Sequence, residues 1–245
     1  MNQGDYLAPH YHPRDEFRVH ALQHDTNPYR ALAGSARFQD VGKGRKGTVL
    51  VRPDALRGTP IVRTTTRYDV PAQCFREIHE RLARRIQRLA GLPGPLNNAL
   101  IERYTNAYVK MGAHSDQALD LVEGSHIAVY SCYRDPELAD PPRTLVIRAK
   151  DGGDPFEVPL LHDTVVVFSL DTNRRFEHKI VLDKRPGQTA NEWLGITFRT
   201  SGTFVRTDGT EAVFEDGTPL ALADESERQA FYQLRRRENR EPDFA

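Results

Sequence analysis

Gly112-Ala113-His114-Ser115-Asp116-Gln117 sets an imidazole and a carboxylate two residues apart, just ahead of an apolar run. In an extended chain alternate side chains share a face, so His114 and Asp116 point to one side and Ser115 to the other. His178, in Phe176-Glu177-His178-Lys179-Ile180, is a third donor on a separate β-like segment. Two imidazoles and one carboxylate on one face of an ion leave its other positions open, which is the donor set of a non-haem Fe(II) centre. Taken singly, each residue reads as an ordinary buried polar group. Their order carries the reading: His114, Asp116, His178, then Gly195-Ile196-Thr197-Phe198-Arg199.

Around that motif the chain breaks into short β-like runs separated by turns: 99–104, 108–112, 126–133, 144–149, 156–159, 164–169, 177–182 and 193–199. Strands at this spacing predict a double-sheet jelly roll, a double-stranded β-helix whose mouth can gather inward-facing polar side chains on a metal. The fold class expected is mainly β with flanking helices (α+β).

Before this core, Gly47–Val51 and Ile61–Tyr68 are rich in β-branched residues and predict two strands. Arg63, Thr65 and Arg67 share a face of the second, facing either solvent or a substrate. Asp69 to Gly91 predicts a helix, with Pro71 in its first turn and Phe75, Ile78, Leu82, Ile86 and Leu89 at helical spacing. Its arginines 76, 81, 84, 85 and 88 read as a solvated face balanced by Glu77 and Glu80, although such a surface can also meet phosphates.

Residues 1–45, rich in His, Pro, Asn and Gly, read as an irregular arm, and His10-Tyr11-His12 within it as a loop rather than a metal ligand pair. Residues 46–205 are expected to form the jelly-roll domain, with a helix over 71–90 packed on it. Residues 206–245 add a hairpin and a helix. The hairpin is Thr203–Val205 with Val213–Leu220, carrying an Asp-Gly turn signal. The helix starts at Asp224, and Arg235-Arg236-Arg237-Glu238 reads as its solvated end.

Length allows one large domain with a full core. The 34 basic and 34 acidic residues cancel, so composition neither requires nor excludes a nucleic acid partner. No apolar run reaches membrane-spanning length. The polar N-terminus lacks a signal-peptide pattern, and Cys74 and Cys132 are the only cysteines. A reducing, cytoplasmic setting is therefore expected, or a nuclear one in a eukaryote.

The motif order is similar to that of the Fe(II)- and 2-oxoglutarate-dependent dioxygenases, and within them it resembles the AlkB-like branch that includes the FTO-type demethylases. The resemblance runs from about Asn98 to Phe204. It is carried by Lys110-Met111, His114-Ser115-Asp116, Ile127-Ala128-Val129-Tyr130-Ser131, His178 and Thr197-Phe198-Arg199. It implies Fe(II) on His114, Asp116 and His178, with 2-oxoglutarate and O2 as cosubstrates. Arg199 suits the 2-oxoglutarate dianion, since a guanidinium pairs bidentately with a carboxylate; Thr197 and Tyr104 are further donors. Three departures stand out: Trp193 replaces a first arginine six residues before Arg199, Gly195 replaces a polar residue between them, and Glu102 stands near an expected asparagine. Arg185 is a candidate for the missing charge.

The implied activity is hydroxylation of a C–H bond, which on an N-methylated nucleobase releases formaldehyde. Gln117 is placed to contact such a base or to orient Asp116; Arg63, Arg67 and Tyr68 are candidates for a lid over it. The competing expectations are a hydroxylase of a small metabolite or amino-acid residue and a non-enzymatic jelly-roll binding module. The substrate is thus a small molecule or a nucleobase, and no membrane is involved.

Overall fold

The structure is a computed structural model and describes residues 12–64, 66–183, 189–208 and 210–244. The chain begins with β1 (Arg18–Ala21), α1 (Tyr29–Ala33), β2 (Gln39–Gly42) and β3 (Arg45–Val51). Next come β4 (Thr59–Pro60), β5 (Gln73–Cys74) and α2 (Glu77–Ala90). The central run is β6 (Asn98–Thr105), β7 (His126–Tyr133), β8 (Arg143–Ala149), β9 (Phe156–Leu160) and β10 (Thr164–Ser169). It continues through α3 (Leu170–Arg175), β11 (Phe176–Val181) and β12 (Glu192–Arg199). The chain ends with β13 (Phe204–Asp208), β14 (Glu211–Phe214) and α4 (Glu225–Arg240).

A major sheet runs β1-β10-β7-β12-β6-β3-β2, with β5 added beside β3, and a three-stranded sheet β11-β8-β9 faces it. The protein is mainly β, a jelly roll with helical flanks. Alternation along the strands explains how the major sheet is buried on both sides. Ala128, Tyr130 and Cys132 of β7 join Leu82 and Ile86 of α2 in one core, whereas Ile127, Val129 and Tyr133 join Leu145 and Ile147 of β8 in the other. A strand covered on both faces needs apolar residues at every position, and β10 accordingly reads Thr-Val-Val-Val-Phe-Ser. No helix among the described residues is long and apolar enough to cross a membrane.

Four expectations are corrected. The stretch 1–45 is not wholly irregular: β1 pairs with β10 and β2 with β3, extending the major sheet at both edges. Both are four-residue edge strands with partly exposed side chains, so no apolar alternation marks them. Ile61–Tyr68 is not a strand. On this side of β13 only Thr59 and Pro60 pair with it, and the following chain leaves the sheet. Its side chains find partners elsewhere: Thr64 Oγ1 donates to the Thr66 carbonyl at 2.6 Å, and Arg45 Nη2 donates to Thr66 Oγ1 at 2.9 Å.

The helix expected from Asp69 starts instead at Glu77. Gln73 and Cys74 pair in parallel with Leu50 and Val51, and the Gln73 amide donates to Thr48 Oγ1 at 2.9 Å, which holds this segment extended. His79 Nδ1 then accepts the Arg76 N–H at 3.0 Å to cap the first turn. At the far end Gly91 takes φ +64°, the left-handed C-terminal stop that glycine permits. Finally, Tyr108–Gly112 forms no continuous ladder, only a single bridge to β11, Lys110 with Val181. His10, Tyr11, Thr65 and Arg185 lie outside the described residues.

Candidate functional site

The metal motif lies against β11 rather than within a sheet. His114 and His178 exchange both backbone hydrogen bonds, at 3.0 and 2.8 Å, so the two residues stand directly opposite. Their rings come to 4.8 Å between centroids. Asp116 follows two residues later, and one donor atom from each of His114, Asp116 and His178 lies within 4.8 Å of the others.

The surroundings hold each donor in the state a metal requires. His114 Nδ1 lies 3.0 Å from the Gly112 carbonyl, which fixes the proton there and leaves Nε2 free. Burial, then the neighbouring His114, brings His178 down to about 3, so its ring is neutral at ordinary pH. For Asp116, burial works to raise the carboxyl, but the Arg199 guanidinium and both imidazoles outweigh it and hold the group below its ordinary value. Arg199 donates from Nε and Nη2 to Asp116 Oδ2 at 3.0 and 2.8 Å, leaving Oδ1 toward His114 Nε2, 3.8 Å away. The neutral His178 ring, His114 Nε2 and an ionised carboxylate with one free oxygen fit a divalent metal.

Three residues that sequence reasoning missed fix this motif. Asn173 of α3, 1% exposed, accepts the Asp116 N–H and donates to the Asp116 carbonyl, both at 2.9 Å. The last turns of α4 press on the same backbone: Glu238 accepts the Ala118 N–H at 2.7 Å and Asn239 accepts that of Ser115 at 3.3 Å. The expectation that residues 235–238 form a solvated end therefore fails at Glu238, which is buried and paired with Arg63 at 3.4 Å. Its charged neighbours in sequence gave no signal of this.

The triad opens into a cavity of about 260 Å³. Arg199, Thr197, Gln117 and Arg63 line it, whereas Tyr104 is fully buried and only its hydroxyl reaches Glu102, at 2.7 Å. Arg199 Nη1 and both ends of the Gln117 amide are buried without a partner. Such atoms await a ligand, since buried polar groups are normally satisfied. Trp193 and Gly195 line the inner wall. The indole Nε1 donates to Ser131 Oγ at 2.7 Å, and the ring lies so close over Gly195 that a Cβ there would fall 2.0 Å from it. Arg67 and Tyr68 lie in an adjoining groove of about 540 Å³, whose other wall carries Phe231, Tyr232 and Arg235 of α4.

Residues 47–199 match the 2OG-Fe(II) oxygenase superfamily. Similar solved structures include OsALKBH1, at 14% identity and TM-score 0.47, covering 73% of this chain and 93% of that one. A prolyl-4-hydroxylase from Pseudomonas putida is similar at 15% identity and TM-score 0.43, covering 76% and 94%. No curated protein matches. The family match spans most of the chain and takes in the whole triad and Arg199: the protein belongs to the 2OG-Fe(II) oxygenase superfamily and is a dioxygenase that uses Fe(II), 2-oxoglutarate and O2.

Proposed function

We propose that the protein hydroxylates an N-methyl C–H bond on a planar heterocycle, a methylated nucleobase carried by a nucleotide or a short strand. Gln117 carries this reading. Its amide is buried beside Asp116 with donor and acceptor both unpartnered, and it borders both the cavity and the outer groove. An amide with both functions free matches the edge of a heterocycle that offers the complementary pair. The groove beyond supplies what the rest of a nucleotide needs: aromatic faces from Tyr68, Phe231 and Tyr232, and cations from Arg67 and Arg235.

His114, Asp116 and His178 would hold Fe(II), which with 2-oxoglutarate and O2 supplies the oxidising equivalent for C–H hydroxylation. The protein's own part is placement. Arg199 keeps Asp116 ionised and oriented, Gln117 sets the depth of the heterocycle, and residues 60–64 and 66–72 with α4 wall the mouth against water. The hydroxymethyl product on nitrogen then loses formaldehyde.

A second reading, hydroxylation of a small anionic metabolite, is favoured by the balance of 34 basic and 34 acidic residues, which provides no overall attraction for a polyanion. Formaldehyde release from a panel of methylated nucleosides, nucleotides and oligonucleotides separates the two. The first reading expects release that drops at least about tenfold in Gln117→Leu. Succinate formation on a non-methylated acid, with no formaldehyde from any member of the panel, would favour the second.

A further inference from the structure

Three arginines line the cavity: Arg45, Arg63 and Arg199. Arg199 is committed to Asp116 at the metal end. Arg63 stands at the mouth, 3.7 Å from Asp120 and 3.4 Å from Glu238, with its guanidinium over the Phe231 ring. A buried fourth, Arg143, lies behind Tyr104 and Trp193 and spends both terminal nitrogens on the Tyr108 and Thr105 carbonyls. On β12 itself, Trp193 and Gly195 present no charge to the cavity.

Strand register places Arg45 at the opposite end from the metal. Arg45, Tyr104 and Trp193 form one row across β3, β6 and β12; Gly47, Glu102 and Gly195 form the next; Asn98 and Arg199 belong to the far row. From the Arg45 row to the Arg199 row is six residues, about 20 Å of strand. The two arginine side chains and an elongated five-carbon diacid can bridge that span. Both neighbours of Glu102 in its row are glycines, each covered by an aromatic ring: a Cβ on Gly47 would fall 2.5 Å from the Tyr68 hydroxyl, and one on Gly195 would strike Trp193.

Within this enclosure Arg45 Nε donates to Glu102 Oε1 at 2.7 Å and Nη2 to Thr66 Oγ1 at 2.9 Å. The Arg45 guanidinium also lies 5.8 Å from the Tyr108 ring centre. Glu102 has other donors to fall back on, the hydroxyls of Tyr104 at 2.7 Å and Tyr68 at 3.4 Å.

We propose that Arg45 receives the distal carboxylate of the 2-oxo acid, in place of a β12 cation, and that Glu102 is the internal anion it displaces from the guanidinium. This rests on the protein's use of 2-oxoglutarate. Glu102 neutralises Arg45 when no diacid is bound, and the Tyr104 and Tyr68 hydroxyls still hydrogen-bond its carboxylate when the guanidinium turns to the 2-oxo acid. The pocket thereby demands a second carboxylate, because only an anion of that reach repays the exchange.

The test compares 2-oxoglutarate with 2-oxopentanoate, which lacks the distal carboxylate, by anaerobic binding to the Fe(II)-loaded protein. Arg45→Met is expected to weaken 2-oxoglutarate at least about 30-fold while leaving 2-oxopentanoate within about threefold. Glu102→Gln, which removes the competing charge, is expected to tighten 2-oxoglutarate alone. Because Arg45→Met strands Glu102, the same ratio is also read in the double variant Arg45→Met/Glu102→Gln, where both charges are gone. An unchanged preference for 2-oxoglutarate in both Arg45 variants overturns the assignment. Binding of neither acid by the wild-type protein would instead count against the use of 2-oxoglutarate itself.

Discussion

Trp193 and Gly195 form one unit: the indole lies along its own strand over the glycine, at a distance no Cβ tolerates. Residues two apart on a strand share a face, so a large ring at 193 that folds down the strand requires a bare position at 195. The two departures from the family pattern on β12 are thus a single substitution in structural terms.

Gly195→Ala should therefore destabilise the protein by about 1–3 kcal/mol, the usual cost of overpacking a filled core. The ring cannot swing clear, because its nitrogen is tied to Ser131 and its face packs 4.9 Å from Tyr104. Urea denaturation measures the loss. Adding Trp193→Leu to Gly195→Ala should cancel most of the penalty relative to Trp193→Leu alone, whereas simple additivity would show that the two positions are independent.

Glu238 joins the C-terminal helix to the metal motif. Glu238→Ala leaves the buried Ala118 N–H without its acceptor and Arg63 without one of its two acids, at a cost of about 1–3 kcal/mol. Since that backbone adjoins Asp116, affinity for Mn(II) should fall about tenfold as well, in line with losses of groups that orient metal ligands. Isothermal titration reads the affinity, and stability lost with no change in Mn(II) binding would confine Glu238 to folding.

The metal-free protein should lose stability as pH falls below the ordinary histidine value of about 6.5. His178 is held down to about 3, by burial and then by His114; His79 is held to about 4, by burial and then by Arg76. Both rings are neutral when folded and take up a proton when unfolded. Their stabilisation is whole above pH 6.5 and is lost as pH drops toward 4 and then 3, at up to about 1.4 kcal/mol per pH unit for each ring. Asp116, held below its usual value, adds to the loss at the acid end. Denaturation midpoints between pH 7.5 and 4.5 should show this slope, and His79→Gln should reduce it; the same slope in that variant would remove His79 from the explanation. His79 has no site for a second proton, since Nδ1 accepts from Arg76 N–H and Nε2 lies 2.6 Å from Ser35 Oγ.

Much of the jelly roll was legible because its strands are covered on both faces. β7 and β10 therefore read as near-continuous apolar runs, with Ser131 the polar interruption in β7, and their expected bounds are those of the structure. The edge strands β1 and β2 were not legible, since exposed side chains leave no alternation to read. Ile61–Tyr68 misled for the opposite reason: its β-branched residues favour an extended backbone, but whether that backbone joins a sheet depends on a partner far away in sequence. At the site, His114, Asp116 and His178 could be found from donor type and order alone. Asn173, Glu238 and Arg45 could not, because each acts through a contact with residues remote in sequence, and nothing in its local sequence marks it.

The central claim, that His114, Asp116 and His178 hold an Fe(II) to which 2-oxoglutarate binds, is tested most directly by anaerobic titration of the apo-protein with Fe(II) and 2-oxoglutarate. A visible charge-transfer band should grow to one equivalent of each in the wild-type protein and be lost in His114→Ala and in Asp116→Ala. No band in the wild-type protein, or a band that survives both substitutions, would contradict it.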